Sequence, residues 1–119
     1  MGKNNALREL SYNFALRIVK LGRFLREDKN EFILSKQIVR SGTSIGANIE
    51  EASGAQSQKD FIAKLHISLK ESKETHYWLR LLKDSGYTTE EQTESMLKDL
   101  NLIITLLTKS LKTLKSKES

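Results

Sequence analysis

The sequence predicts an all-α protein that folds as an antiparallel up-and-down four-helix bundle. Three observations favour this fold class. Apolar residues recur at spacings of three and four along nearly the whole chain, which is the period of a helix. No segment alternates apolar and polar residues as a strand does, and no proline interrupts the 119 residues. Four long helical segments with short connections make successive helices antiparallel neighbours.

The periodicity predicts helices at about 4–27, 31–53, 57–85 and 89–115, in a single domain that spans residues 1–119. Each helix has one apolar face, which we expect to form the core. The predicted core positions are Leu7, Leu10, Phe14, Ile18, Leu21 and Leu25; Leu34, Ile38, Ser41, Ile45, Ile49 and Ala52; Phe61, Leu65, Leu69, Ser72, Leu79 and Leu82; and Met96, Leu100, Ile103, Leu107, Leu111 and Leu114.

Start and stop signals delimit these helices. Ser57, with an acidic residue three positions on, is typical of a helix N-cap, and the run of threonine and glutamate at 88–91 is a further start signal. Gly54 and Gly86 follow the second and third helices and suit the left-handed C-terminal cap. The polar segment 27–31 predicts a tight connection.

Composition excludes several classes of protein. The chain has no cysteine, so it has neither disulfides nor a thiolate metal site. No uncharged stretch approaches the roughly 20 apolar residues of a membrane span, and the N-terminus lacks the apolar core of a signal peptide. We therefore expect a cytoplasmic protein without a membrane role. The formal net charge of +5 allows an acidic partner without demonstrating one.

The second helix differs from the others because it has little charge around its circumference. Between residues 32 and 49 only Lys36 and Arg40 are charged. Gly42 and Gly46 lie one turn apart, and each costs about 1 kcal/mol in a helix interior relative to alanine. Close packing of another element against this side would explain both glycines. Because a bundle helix buries only one wide stripe, this helix favours a second contact surface, most simply with another subunit.

Polar residues form a second stripe on the same helix. Arg40, Ser44, Asn48 and Glu51 follow one another at helical spacing, about a quarter-turn from the apolar face. A buried arginine needs a partner, and Glu51 is too distant along the helix to supply one directly. By chemistry, the best candidates are the glutamates at positions 71 and 74 of the third helix.

The segment QIVRSGTSIGANIEE at 37–51 resembles the signature of the bacterial four-helix bundle proteins encoded in intervening sequences of 23S rRNA genes. The matching positions are Gln37, Arg40, Ser44, Ile45, Asn48, Ile49 and Glu51. The segment 65–82 is similar to the third helix of that family. The resemblance implies a bundle that assembles into a homopentameric ring. It also implies a relationship to the accessory proteins of diversity-generating retroelements, which are thought to bind nucleic acid and a reverse transcriptase.

Residues and motifs typical of catalytic, metal-binding or phosphate-binding sites are scarce in the sequence. His66 and His76 lie ten positions apart, and no Glu-x-x-His, His-Glu-x-x-His or glycine-rich phosphate loop occurs. We interpret both histidines as structural and expect no metal, cofactor, small-molecule substrate or enzymatic activity. Tyr77 and Trp78 could stack on bases, but the leucines around Trp78 favour a packing role for it.

Basic residues give the one positive indication of function. Residues 1–27 carry a net charge of +4, and Arg17, Lys20, Arg23 and Arg26 are predicted to spread over the outer side of the first helix. Lysines at positions 109, 112, 115 and 117 form a second basic element, which we expect to be mobile.

Two functions remain open. In the first, a self-associating, non-enzymatic bundle binds RNA or DNA through phosphates with the four residues of the first helix, and a pentamer would multiply the charge to about +25. In the second, the protein is an adaptor that recruits another protein, and its positive charge serves solubility or docking to an acidic partner.

Overall fold

A computed structural model describes the backbone of residues 2–118 and the side chains of residues 6–116. Four helices occupy nearly all of this part of the chain: α1 (Gly2–Glu27), α2 (Leu34–Ser53), α3 (Gln58–Asp84) and α4 (Glu90–Glu118). No strand occurs between residues 2 and 118. The predicted all-α class is therefore confirmed.

Contacts between the helices establish their directions. In the α1–α2 pair, Ile18 lies against Gly42, and Ser11, earlier in α1, lies against Gly46, later in α2. In the α2–α3 pair, the hydroxyl of Thr75 donates a hydrogen bond to the hydroxyl of Ser41, whereas residue 68, earlier in α3, donates one to the carbonyl of residue 45, later in α2. Between α1 and α4, residue 24 lines the same cavity as residues 88 and 92, whereas Arg17, earlier in α1, contacts Asp99, later in the chain. Contacting residue numbers fall on one helix as they rise on the other, so all three pairs are antiparallel.

Each helix has two others as its backbone neighbours, in the cyclic order α1, α2, α3, α4, and within the described helices no close backbone approach joins α1 to α3 or α2 to α4. The dimensions of the molecule are 48 × 22 × 20 Å, as expected for four helices aligned along one axis. All the predicted core positions are buried or partly buried between them. The outer face of α1 therefore points away from the outer face of α3.

The start of α2 corrects the prediction. A helix beginning at residue 31 was expected, but α2 begins at Leu34. The reason is the buried carboxylate of Glu31, which accepts hydrogen bonds from the backbone N–H groups of Ile33, Leu34 and Ser35 at 3.2, 3.0 and 2.7 Å. These N–H groups have no partner within a helix start, so the side chain of Glu31 acts as the cap from outside the helix.

The other helix starts use the side chains that the sequence indicates. Ser57 Oγ accepts the N–H of Asp60 at 3.0 Å and caps α3 as predicted. At α4 the reciprocal pair is Thr89 and Gln92, whose side chains each accept the other's backbone N–H at 3.1 and 3.0 Å. The start signal at residues 88–91 thus marks the start of α4 correctly, but the two side chains that cap the helix are those at 89 and 92, one residue further along.

The two glycine stops differ. Gly86 has φ +88°, and Tyr87 and Gly86 donate to the carbonyls of Leu82 and Lys83, which is the Schellman arrangement. Gly54 also follows the end of its helix, but its φ is −103°. The left-handed cap predicted at Gly54 is therefore wrong, because the chain leaves α2 through a tight right-handed turn. In the part of the chain with described structure, no helix is long and apolar enough to cross a membrane.

Candidate functional site

The basic residues predicted on α1 do not share one environment. Arg17 is tied to α4, because its guanidinium contacts the carboxylate of Asp99 at 2.6 Å and donates to Ser95 Oγ at 2.9 Å. This guanidinium therefore braces α1 against α4, and its charge is largely compensated by Asp99.

The other three predicted cations remain available. Lys20, Arg23 and Arg26 are exposed, and none forms an ion pair within the described part of the chain. The antiparallel α1–α4 arrangement brings this half of α1 beside the start of α4, where the exposed acidic residues at 90, 91 and 94 partly offset the positive charge. The α1 surface is therefore less positive than its sequence suggests.

The C-terminal lysines lie elsewhere. Lys109, Lys112 and Lys115 are exposed on α4, which runs as a helix to Glu118. The side chain of Lys117 lies outside the described residues. Because α1 and α4 are antiparallel, these lysines and Arg26 lie toward opposite ends of the bundle, so the two basic sets do not form one patch.

Arg40 of the motif connects α2 to α3. Its guanidinium pairs with Glu71 at 3.2 Å and with Glu74, and it also donates weakly to Gln37 at 3.4 Å. Glu74 in turn accepts the indole N–H of Trp78 at 3.0 Å. The two glutamate partners proposed from chemistry are thus correct, and the arginine side chain is 49% exposed.

The remaining motif residues do not join this cluster. Ser44 Oγ donates to the carbonyl of Arg40 at 2.7 Å, and Asn48 Nδ2 donates to the carbonyl of Ser44 at 2.8 Å. Glu51 pairs separately with Lys64 of α3 at 3.2 Å. The predicted polar stripe therefore exists as a set of neighbours, but it divides into bonds within α2 and two separate contacts to α3.

The glycines of α2 are explained within one chain. A Cβ atom placed on Gly42 would lie 2.7–2.9 Å from three side-chain atoms of Ile18, and one on Gly46 would lie 3.3 Å from Ser11. The prediction that an element packs closely there is confirmed, and that element is α1. The glycines therefore give no independent support for a second subunit on this side of α2.

An exposed apolar stripe runs along the outside of α1 instead. Tyr12, Leu16 and Val19 are 63%, 46% and 41% exposed, and their spacing of four and three places them on one face. Next to this stripe lies a groove of about 200 Å³ between α1 and α2, bordered by Ala15 and Ala47. Sequence reasoning missed the stripe, although the same three–four spacing that marks the core would have revealed a second, solvent-facing set.

Groups suited to catalysis are scarce in the described structure. A cavity of about 420 Å³ is lined by residues that include Arg17, Lys20, Leu79 and Met96, and no carboxylate, imidazole or thiol belongs to its lining. His66 is exposed. His76 accepts a hydrogen bond from Arg80 at 3.1 Å, and burial together with that cation lowers the pKa of its imidazole. Among the described residues, no group of side chains could hold a metal ion.

Known proteins resemble this chain over most of its length. The model of the 23S rRNA-intervening sequence proteins matches residues 3–109. The chain belongs to this family. A crystal structure of a protein with unknown function from the S23 ribosomal protein family of Bacteroides thetaiotaomicron is 54% identical and superimposes with a TM-score of 0.91. The match covers 92% of this chain and 98% of that one. No curated protein matches the chain.

Membership of the 23S rRNA-intervening sequence protein family confirms the resemblance carried by the motif at 37–51. Within this family member, the motif residue Arg40 joins α2 to α3 through Glu71 and Glu74. The arginine of the motif therefore braces two helices against each other.

Proposed function

We propose that this family member is a non-enzymatic assembly protein, in which copies associate through the outer face of α1 and the assembled particle binds RNA or DNA through phosphates. The observation that carries the proposal is the apolar stripe of Tyr12, Leu16 and Val19. Water-exposed apolar residues that form a continuous stripe mark an interaction site, whereas isolated ones need no explanation.

The groove beside the stripe supports association between copies. Tyr12 belongs both to the stripe and to the lining of the groove, so the two form one continuous surface, and copies can pack head-to-tail when Leu16 and Val19 of one copy enter the groove of the next. Such a head-to-tail contact closes into a ring when its rotation divides a full turn. The resemblance to the family supplies the number of copies, which we take as five.

Assembly also changes the electrostatics. One chain carries a formal +5, so five copies carry about +25 on one particle. A polyanion that contacts several copies would release its condensed counterions from many phosphates at once, and its binding would weaken steeply with salt.

Sedimentation velocity at tens of micromolar tests the association. We expect an oligomer for the unmodified chain and a monomer for Leu16→Glu, because the glutamate places a charge inside the proposed interface. Leu102→Glu is the matched control, since Leu102 is 47% exposed on α4 and the substitution is the same. A monomeric unmodified chain, or equal effects of the two variants, would refute the proposal.

Salt titration tests the phosphate binding. Fluorescence polarization with a labelled duplex should give an affinity that falls sharply between about 50 and 200 mM salt. No affinity at low salt, or an affinity that salt leaves unchanged, would exclude phosphate binding and favour the adaptor function.

A further inference from the structure

The outer face of α3 carries a row of exposed, mainly cationic side chains, which the net charge of the segment does not reveal. At about 100° per residue, the members of this row fall within an arc of roughly 80°. They lie on the side opposite the buried face of α3, and every one is exposed. The row consists of four cations, Lys59, Lys70, Lys73 and Arg80, together with His66 and Tyr77.

Two of the four carboxylates of α3 are directed toward α2, and the other two, Asp60 and Asp84, are exposed near the ends of the helix. Glu71 and Glu74 lie toward α2, where Arg40 pairs with both and its single positive charge offsets one of their two negative charges. The lysines of the row at 59, 70 and 73 form no ion pair within the described part of the chain. Asp84 falls within the arc of the row at the end of α3, where its carboxylate lies 3.9 Å from the ammonium group of Lys83, so the row is free of carboxylates between Lys59 and Arg80.

The second half of α4 extends this surface. Asp99 faces α1, through its contact with Arg17. Counted from Asp99 at about 100° per residue, Lys112 and Lys115 are rotated by roughly 220° and 160°, away from α1, whereas Lys109 lies about 80° from the direction of Asp99 and faces solvent. Residues 100–116 include no acidic residue. Because α3 and α4 are antiparallel neighbours, these lysines border the first half of α3.

We infer that this lysine face, formed by Lys59, Lys70, Lys73 and Arg80 of α3 with Lys109, Lys112 and Lys115 of α4, is the surface that holds the phosphate backbone of a nucleic-acid duplex. The inference rests on the proposed function and assigns its binding surface, which sequence reasoning had assigned to α1.

Charge and shape select this partner. Arg80 lies 21 positions after Lys59, which corresponds to about 31 Å along a straight helix. Duplex DNA carries one negative charge per about 1.7 Å of its axis, so about 18 charges lie within that length. Lysine ammonium groups contact phosphates as point charges and read no base edges, which fits binding without sequence preference.

The position of the lysine face also keeps it accessible in an assembly. Contacts run around the bundle without joining α1 to α3, so the outer faces of these two helices point in opposite directions. If Tyr12, Leu16 and Val19 are covered by a neighbouring copy, then α3 remains open. On α1 the cations Lys20 and Arg23 lie beside that covered stripe.

The test compares two variants with the same change of charge. Lys70→Gln/Lys73→Gln removes two positive charges from the lysine face, and Arg23→Gln/Arg26→Gln removes two from α1. All four residues are exposed, so both variants should keep the melting temperature of the unmodified chain, and sedimentation velocity checks that the α1 variant, whose Arg23 lies beside the apolar stripe, still assembles. Binding to a labelled DNA duplex of about 24 base pairs is measured by polarization from about 50 to 200 mM KCl.

Each lost phosphate contact lowers the slope of log K against log salt by about 0.9, which at 0.1 M salt is roughly an eightfold loss of affinity. We therefore expect the α3 variant to lose about 1.8 in slope and roughly sixtyfold in affinity at 0.1 M salt. The α1 variant should keep the slope and lose less than about threefold, through net charge alone.

Three outcomes would overturn the inference, and they are distinguishable. If both variants lose equal affinity, or the α1 variant loses more, the lysine face is not the phosphate-binding surface. The proposed binding of nucleic acid would still hold. No binding by the unmodified chain would refute the proposed function as well. Equally tight binding of polyglutamate at the same salt would show that the face serves an acidic protein.

Discussion

Substitution of Gly42 by alanine measures how closely α1 and α2 are packed. The added Cβ would lie 2.7–2.9 Å from three atoms of Ile18, whereas carbon atoms normally pack at about 3.5–4.0 Å. Ile18 is fully buried and its β-branched side chain has little rotamer freedom, so it cannot turn into solvent. Such overpacking costs about 1–3 kcal/mol, and the better helix propensity of alanine returns about 1 kcal/mol.

The expected net effect of Gly42→Ala is a loss of about 1 kcal/mol in the free energy of unfolding. For a domain of this size, that corresponds to a decrease of about 3–6 °C in the melting temperature. Urea denaturation followed by circular dichroism gives the free energy, at one fixed protein concentration because association stabilises the folded state.

Gly54→Ala is the control for propensity and chain entropy. Gly54 has a φ that alanine adopts without strain and no neighbour closer than 3.8 Å, so this variant should gain about 0.5 kcal/mol. In an Ile18→Ala background the clash partner is absent, and Gly42→Ala should no longer destabilise. A Gly42→Ala chain that is stabilised as much as Gly54→Ala would refute the close packing.

Three further predictions concern single polar groups. Glu31→Ala should cost about 1–2 kcal/mol of stability by urea denaturation, because three N–H groups at the start of α2 lose their acceptor; an unchanged midpoint would contradict this. Arg40→Ala should cost about 1–2 kcal/mol, because the buried Glu71 loses its cation; an unchanged melting temperature would argue against the brace. Since burial and a nearby cation lower the pKa of His76, its protonation opposes folding. Stability should therefore decrease as pH falls below about 6.5, and His76→Gln should reduce that decrease when melting is recorded against pH.

The sequence was sufficient to predict the fold because apolar spacing and cap residues are local signals. The core positions lie in the interior, and Ser57 and Gly86 act as expected. The start of α2 could not be predicted in the same way. Glutamate is not a favoured cap residue, and Glu31 caps α2 only because it is buried beside three free N–H groups. Element type followed from periodicity, whereas this boundary followed from tertiary burial.

Site residues were harder to predict because their roles depend on the neighbouring helix. A solvated Arg17 and an ion-paired Arg17 look the same in sequence, and only the position of α4 brings Asp99 to it. Likewise, the glycines of α2 indicate a close neighbour without identifying it as α1. Net charge per segment concealed the lysine face, since averaging over a helix combines residues such as Lys70 and Glu71 that point to different sides.

The placement of the glycines also changes the argument for association. Weak charge on α2 had suggested that this helix forms the contact between subunits. With Gly42 and Gly46 packed against α1, the case rests on exposed apolar residues, above all Tyr12 and Leu16. The apolar residues Phe32 and Ile33, in the connection between α1 and α2, are also exposed and provide a second place to look for a contact.

Native mass spectrometry of the unmodified chain tests most directly whether it functions as an assembly. We predict a dominant species of five copies at micromolar concentration. The Lys70→Gln/Lys73→Gln variant should keep this species, and the Leu16→Glu variant should lose it. A spectrum that contains only the 13.6 kDa monomer would contradict self-association and, with it, the role assigned to the outer face of α1.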